Sequence, residues 1–276
     1  MPRHPRIRTA FTLTELLVVI LIIAILIAVL IPTISSVRRS AWAADTRNLI
    51  SQISNAITRY HQDFNAYPGP FSDGQIVENN FDIGGVDALS GANDITQTEN
   101  LTLALLGGLR YQSGTFDYEI DRSLQGQGAY SLNPGSPRQY SAYLAVGEAN
   151  LARGDAASPS GLMSDNGVQG MTDSIVPEFM DTWPSGDQLP IVYLRARRGA
   201  SGILSNGTRA AQYDMVFLNP YLRDQDALEG DEAATREYLT HPSLPDTPVG
   251  KDAFVLIAPG PDRIYGTHDD NTSWGN

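Results

Sequence analysis

Cysteine is absent from this 276-residue chain, and lysine occurs once, at Lys251. The first absence excludes a disulfide framework, a thiolate metal site and a cysteine nucleophile, so any staple must come from other chemistry. No Gly-x4-Gly-Lys phosphate loop is present, and neither Gly-x-Ser-x-Gly nor His-Glu-x-x-His occurs. Histidine is sparse as well, and His4, His61, His241 and His268 fall at no ligand spacing. Gly126-Gln127-Gly128 lacks a third glycine and a preceding strand, and reads as a turn. The chain is accordingly read as a non-enzyme.

Positive charge is scarce beyond the first quarter of the chain. Residues 1–64 carry seven Arg against three acids, whereas residues 65–276 carry twelve Lys and Arg against twenty-eight Asp and Glu. An acidic body, in a chain of pI near 4.6, repels phosphate backbones, which argues against nucleic acid and toward divalent cations as ionic partners.

What the chain has in abundance is one apolar run. Every residue from Leu16 to Ile31 is apolar. Counted from Phe11 the run gives about 32 Å of helix at ~1.5 Å per residue, enough to span a bilayer core. Arg3, Arg6 and Arg8 precede it without an acid, so the positive-inside rule holds the leader in the cytoplasm and exports the acidic body, Arg38 and Arg39 notwithstanding. Ala41-Trp42-Ala43 has the small-x-small form of a secretory cleavage site, but the apolar region exceeds a signal's ~7–15 residues and two arginines intervene, so a stable anchor fits better. Glu15 stands out at the start of this run. A carboxylate there either snorkels into the headgroups or has a partner.

The stretch Ala10-Phe11-Thr12-Leu13-Thr14-Glu15-Leu16-Leu17-Val18-Val19-Ile20, behind a short basic leader, resembles the class III signal of type IV pilins and type II secretion pseudopilins. The resemblance implies cleavage by prepilin peptidase between Ala10 and Phe11 and methylation of the new Phe11 amine. Ala10 stands where the family usually has Gly, and Thr14 replaces a common apolar residue. It also implies that Glu15 meets the Phe11 ammonium of a neighbouring subunit, neutralising two charges in an apolar bundle. Pro32 matches a family position and, lacking a donor, predicts a kink or melted stretch near residues 28–32.

Past Pro32, the apolar residues Leu49, Ile53, Ala56, Ile57, Tyr60 and Phe64 recur at three- and four-residue spacing, the stripe of an amphipathic helix. This helix should end near residues 65–68, and Tyr60…Asp63…Tyr67-Pro68 resembles the exit found in pseudopilins, closest to the major pseudopilin.

In the body, residues 69–100 and 125–175 read as long loops, with a short helix over 99–109 ending on Gly107-Gly108. Residues 189–196, 212–218 and 253–258 read as strands, and 227–239 as a polar-faced helix. Asp181-Thr182-Trp183 faintly resembles a pseudopilin strand start. The motif from Ala258 to Asn271 resembles the loop that holds calcium in major pseudopilins, with Arg263 where the family usually has Gly. Asp262, Asp269 and Asp270, with the Thr267 hydroxyl and free carbonyls, suit a hard cation such as Ca2+ even without the family; an acidic surface turn is the plainer alternative. His268 reads as a solvated loop histidine.

The expectation is an α+β fold: a long N-terminal membrane-spanning helix packed on a C-terminal antiparallel β-sheet domain with long loops. Residues 1–10 form the cleaved leader, 11–33 the membrane half of the helix, 34–66 its amphipathic half, and 67–276 the periplasmic domain. The resemblance implies a structural subunit of a type II secretion pseudopilus or related pilin-like filament. Such a subunit lies singly across the inner membrane, polymerises with its own kind or other pseudopilins, and works with an inner-membrane assembly platform. The rival reading is a membrane-anchored periplasmic binding protein or hydrolase that uses a pilin-like anchor.

Processing gives the first prediction. Mass spectrometry of membrane fractions should find a chain that begins at methylated Phe11, whose formal charge has moved from −12 to −15 on loss of three arginines. An intact Met1, or a terminus at Ala44, refutes it.

Overall fold

The computed structural model describes residues 13–77, 96–112, 117–120, 126–129, 138–145, 150–152, 176–184, 188–205, 210–215, 217–218 and 231–274. The Ala10–Phe11 bond and the basic leader lie outside them. The chain divides into two compact units, Met1–Trp42 and Ala43–Asn276.

Helix α1 (Leu13–Phe64) is 52 residues long, about 78 Å at ~1.5 Å per residue. It is long and apolar enough to cross a membrane, with a mean hydropathy of 3.4 in its apolar window. Among the described residues, every exposed large apolar side chain except Leu244 lies between Leu13 and Val37. The helix runs unbroken through Pro32, so of the kink or melted stretch expected near residues 28–32 the melted stretch is not found. A single proline removes one backbone donor, and the turns on either side keep the remaining ladder.

From Ala43 the same helix turns one side inward. Leu49, Ile50, Ile53, Ala56 and Ile57 are buried, while Arg47, Gln52, Arg59 and Asp63 are exposed, as the three- and four-residue spacing predicts. The helix stops because Asn65 takes a left-handed φ of 52° and its N–H bonds to the His61 carbonyl at 2.8 Å. Beyond it the Pro68 carbonyl accepts from the Tyr193 hydroxyl at 3.1 Å, and Asp63 accepts from the Tyr143 hydroxyl at 2.6 Å. The exit is pinned to the domain on both sides.

The second unit is built on a three-stranded antiparallel sheet, β5 (Val192–Arg195), β8 (Phe254–Ala258) and β9 (Asn271–Thr272), in the order β5-β8-β9. Side-chain alternation assigns its two faces. Tyr193, Leu256 and Ala258 join the α1 stripe and Leu101 and Leu105 of α3 (Gln97–Leu106) in one apolar core. Val192, Leu194, Val255 and Ile257 face the opposite way, into a second core with Ile203, Leu204, Tyr213, Leu239 and Tyr265. The sheet is therefore covered on both faces, which explains its near-continuous apolar strands.

The short helices are placed by local chemistry. Thr96 and Glu99 form a reciprocal capping box at the start of α3, and Gly107, with a φ of 87°, ends it. Its helix thus begins two residues before the predicted Glu99, and Leu109 opens the hairpin β1 (Leu109–Gln112) and β2 (Asp117–Ile120). Helix α2 (Asp73–Val77) lies within a stretch read as loop, and β3 (Leu151–Ala152) pairs with β4 (Glu178–Phe179). The predicted helix over 227–239 is observed as α4 (Glu232–Tyr238), where the Asp231 carboxylate accepts from Ala233 and Ala234 N–H at 2.9 and 3.1 Å; residues 227–230 lie outside the described ones.

Two strand predictions are corrected. The 212–218 run is strand only to Asp214, as β7 (Ala211–Asp214), and turns helical at Met215. Its partner β6 (Gly202–Ser205) pairs with it in parallel, against the antiparallel expectation. Gly202 makes this approach possible, since a Cβ there would lie 3.1 Å from that of Ala211.

Candidate functional site

The loop from β8 to β9 carries the acidic motif. A carboxylate oxygen of each of Asp262, Asp269 and Asp270 lies within 4.8 Å of the other two. The loop reaches this shape through its own backbone. Gly260 passes so close to Asp269 that a Cβ would sit 2.3 Å from the Asp269 carbonyl oxygen. Asp262 Oδ1 accepts from the Ile264 N–H at 2.9 Å, and Gly266, with a φ of 85°, turns its N–H onto Asp270 Oδ2 at 2.7 Å. Thr267 donates its hydroxyl to Asp269 Oδ1 at 2.5 Å, placing that hydroxyl at the rim of the cluster.

The three carboxylates sit in graded surroundings, from exposed Asp262 through half-buried Asp269 to Asp270 at 1% exposure. Burial pushes Asp270 up to about 7, although hydrogen bonds from the Tyr238 hydroxyl at 2.6 Å and from Gly266 oppose it. Asp269 moves the other way, because hydrogen bonds from Thr267 and Asp262 outweigh its partial burial and hold it below the usual carboxylate range. The set thus contains a carboxyl that resists ionising beside one that ionises readily.

Arg263, within the same loop, reaches Asp181 and Trp183. Its Nη1 donates to Asp181 Oδ2 at 2.6 Å, and its guanidinium lies 4.5 Å from the Trp183 ring centre. Asp181 is fully buried; burial raises its pKa, and Arg263 opposes the rise. Arg263 also keeps a left-handed φ of 65°, the conformation a glycine takes without strain. Its Nη1 is paired with the buried Asp181 carboxylate. Residue 181 and the acidic loop, 82 residues apart in sequence, are brought together in this way.

Two further contacts tie the loop to α1. The fully buried Thr46 bonds through its hydroxyl to the Thr182 hydroxyl at 3.0 Å and accepts from the Thr182 N–H at 3.2 Å. Arg47 Nε donates to Asn271 Oδ1 at 2.8 Å. Tyr265 closes the floor, donating its hydroxyl to the Pro190 carbonyl at 2.6 Å. Thr46, Arg47, Asp181 and Tyr238 are absent from the sequence expectations for this loop. Only Asp181 carried a local signal, through its neighbours Thr182 and Trp183. His268 is exposed, as a solvated histidine is expected to be.

Of the N-terminal residues, Glu15 is exposed in the first turn of α1, where the helix dipole favours a carboxylate, and Pro32 lies within the helix. Comparison with family models, curated proteins and solved structures finds no match to this chain.

Asp270 generates a pH prediction. Its folded pKa lies above the unfolded value of 3.8, so the protonated form favours folding; that contribution is complete below about pH 4 and is lost as pH rises through about 7. In chelator, stability should fall across this window by up to ~1.4 kcal/mol per pH unit, the slope of one proton. Asp270→Asn should flatten the profile. Chemical denaturation at a series of pH values measures both, and equal slopes in the two proteins would contradict the assignment.

Proposed function

We propose that this chain is a structural subunit of a type II secretion pseudopilus or a related type IV pilin-like filament. The observation that carries the reading is the two-sided use of α1. Its first half, headed by the Phe11-to-Glu15 motif, presents apolar side chains all round, while its second half is buried along one stripe in a domain. An anchor that only tethered a binding protein or hydrolase has no need to continue as the spine of that domain.

In this reading prepilin peptidase cuts before Phe11 and methylates it, the chain rests in the inner membrane with its acidic domain in the periplasm, and a cytoplasmic ATPase drives assembly on a membrane platform. Glu15 of one subunit meets the Phe11 ammonium of the next, where the pair is desolvated. Glu15→Ala should insert and export normally, even slightly better because a charge is gone, yet drop out of filaments, since loss of one partner of a buried pair costs roughly 3–5 kcal/mol per interface. Quantifying the variant in purified filaments against its membrane level is the test. Normal incorporation would overturn the pairing.

The acidic loop is proposed to hold a structural Ca2+. The donor set fits: three carboxylates converge, one hydroxyl stands at their rim, and among the described residues no histidine joins Asp262, Asp269 and Asp270 in that cluster. Binding only to the folded domain raises stability by about 2.7 kcal/mol at a hundredfold excess over Kd. That corresponds to roughly 5–10 °C in Tm for a domain of this size. Asp269→Ala should abolish most of this gap between calcium and chelator, and Mg2+ should substitute poorly because it keeps its waters. Identical melting curves in calcium, magnesium and chelator would leave an ordinary acidic turn.

A further inference from the structure

The polar contacts around the β8–β9 loop close into a ring that begins and ends on α1. Thr46 bonds to Thr182; the neighbouring Asp181 takes the Arg263 guanidinium; the loop leads from Arg263 to Asn271; and Asn271 accepts from Arg47. Asn271 is itself 1% exposed, and its Nδ2 donates to the Pro259 carbonyl at 3.5 Å, so its side chain is held from behind. The two helix residues are consecutive, and on a helix of 3.6 residues per turn their side chains diverge by ~100°. They also grip two different segments, residues 181–183 and the C-terminal loop.

This geometry matters because, between these bonds and the exit contacts of Arg59 and Asp63 with Tyr143, the helix contact is apolar. Leu49, Ile53, Ala56 and Ile57 gain by burial, which is non-directional and tolerates small rotations and sliding. Hydrogen bonds weaken steeply when misaligned. Two of them, about a quarter-turn apart, stop rotation in both senses.

We propose that Thr46 and Arg47 form a two-point latch that fixes the rotation and register of α1 residues 43–50 within the second unit, and that the Arg263–Asp181 ion pair holds the latch closed. The latch lies one turn inside the boundary at Ala43. Arg263 acts here as a positioning residue. It supplies from within the chain a positive charge that clamps the loop, and the arrangement needs neither a bound cation nor the filament reading.

Amide hydrogen exchange of the full chain in detergent, in chelator throughout, tests this. Arg263→Gly is the informative variant, because glycine accepts the left-handed φ of 65° and so removes the guanidinium without adding backbone strain. Exchange should quicken roughly tenfold in α1 residues 43–50 as well as in 259–272, while residues 53–60 stay at the wild-type rate. Faster exchange confined to 259–272, with 43–50 unchanged, would overturn the latch. Should that variant unfold, Arg47→Gln and Asn271→Ala, singly and together, carry the test. Their effects on exchange at 43–50 should be strongly non-additive, and simple additivity would overturn the proposal.

Discussion

The burial of one stripe of α1 against the Tyr193–Leu256 face of the central sheet is the contact on which the second unit depends. Ile53, Ala56 and Ile57 are wholly inaccessible, and each large side chain of this kind contributes roughly 1.5–3 kcal/mol by leaving water. With no disulfide to close the fold, that seam and the sheet it covers set where everything else sits. Helix α3 lies on the same face, the β6–β7 pair and α4 serve the other, and the acidic loop is carried between β8 and β9.

Directional interactions then select one arrangement of this apolar frame. Asp73 accepts from Arg195 at 2.6 Å and from Arg197 at 3.3 Å, and Arg197 also reaches the buried Asp214 at 3.1 Å. That network ties α2, β5 and β7. Glu178, 2% exposed, accepts from the Thr96 hydroxyl at 2.8 Å and so joins the α3 cap to β4. Burying acids in this way is costly unless each is paired, and the partners observed meet that requirement. An acidic composition is therefore compatible with a packed interior.

The long helix was legible because its two patterns are strong: an unbroken apolar run, then a stripe at helical spacing that includes Ile53, Ile57 and Phe64. The strands at Val192–Arg195 and Phe254–Ala258 were legible as apolar runs too short for helices. The carboxylate cluster was readable because its three acids lie within nine residues of each other, so the loop alone brings them together. Its supports were not readable. Tyr238 reaches Asp270 across 32 residues, Arg263 reaches Asp181 across 82 and Arg47 reaches Asn271 across 224, and no local pattern encodes contacts at such separations. The strand at Gly202–Ser205 was missed for a related reason, since its parallel partner and not its own composition makes it a strand. Expecting a melted stretch at Pro32 overweighted one missing donor against the cooperative ladder on either side.

The continuity of α1 has a calorimetric consequence. One helix serves both a bare apolar segment and the spine of a folded domain, with no break between Trp42 and Ala43. In a bilayer or a detergent micelle, melting the domain removes the packing that supports residues 43–64 but leaves the preceding turns where backbone groups have no water to compete for their hydrogen bonds. Far-ultraviolet circular dichroism will then retain a helical baseline after the tertiary signal has vanished. Enthalpies derived from that probe under a two-state assumption will disagree with those measured by heat uptake.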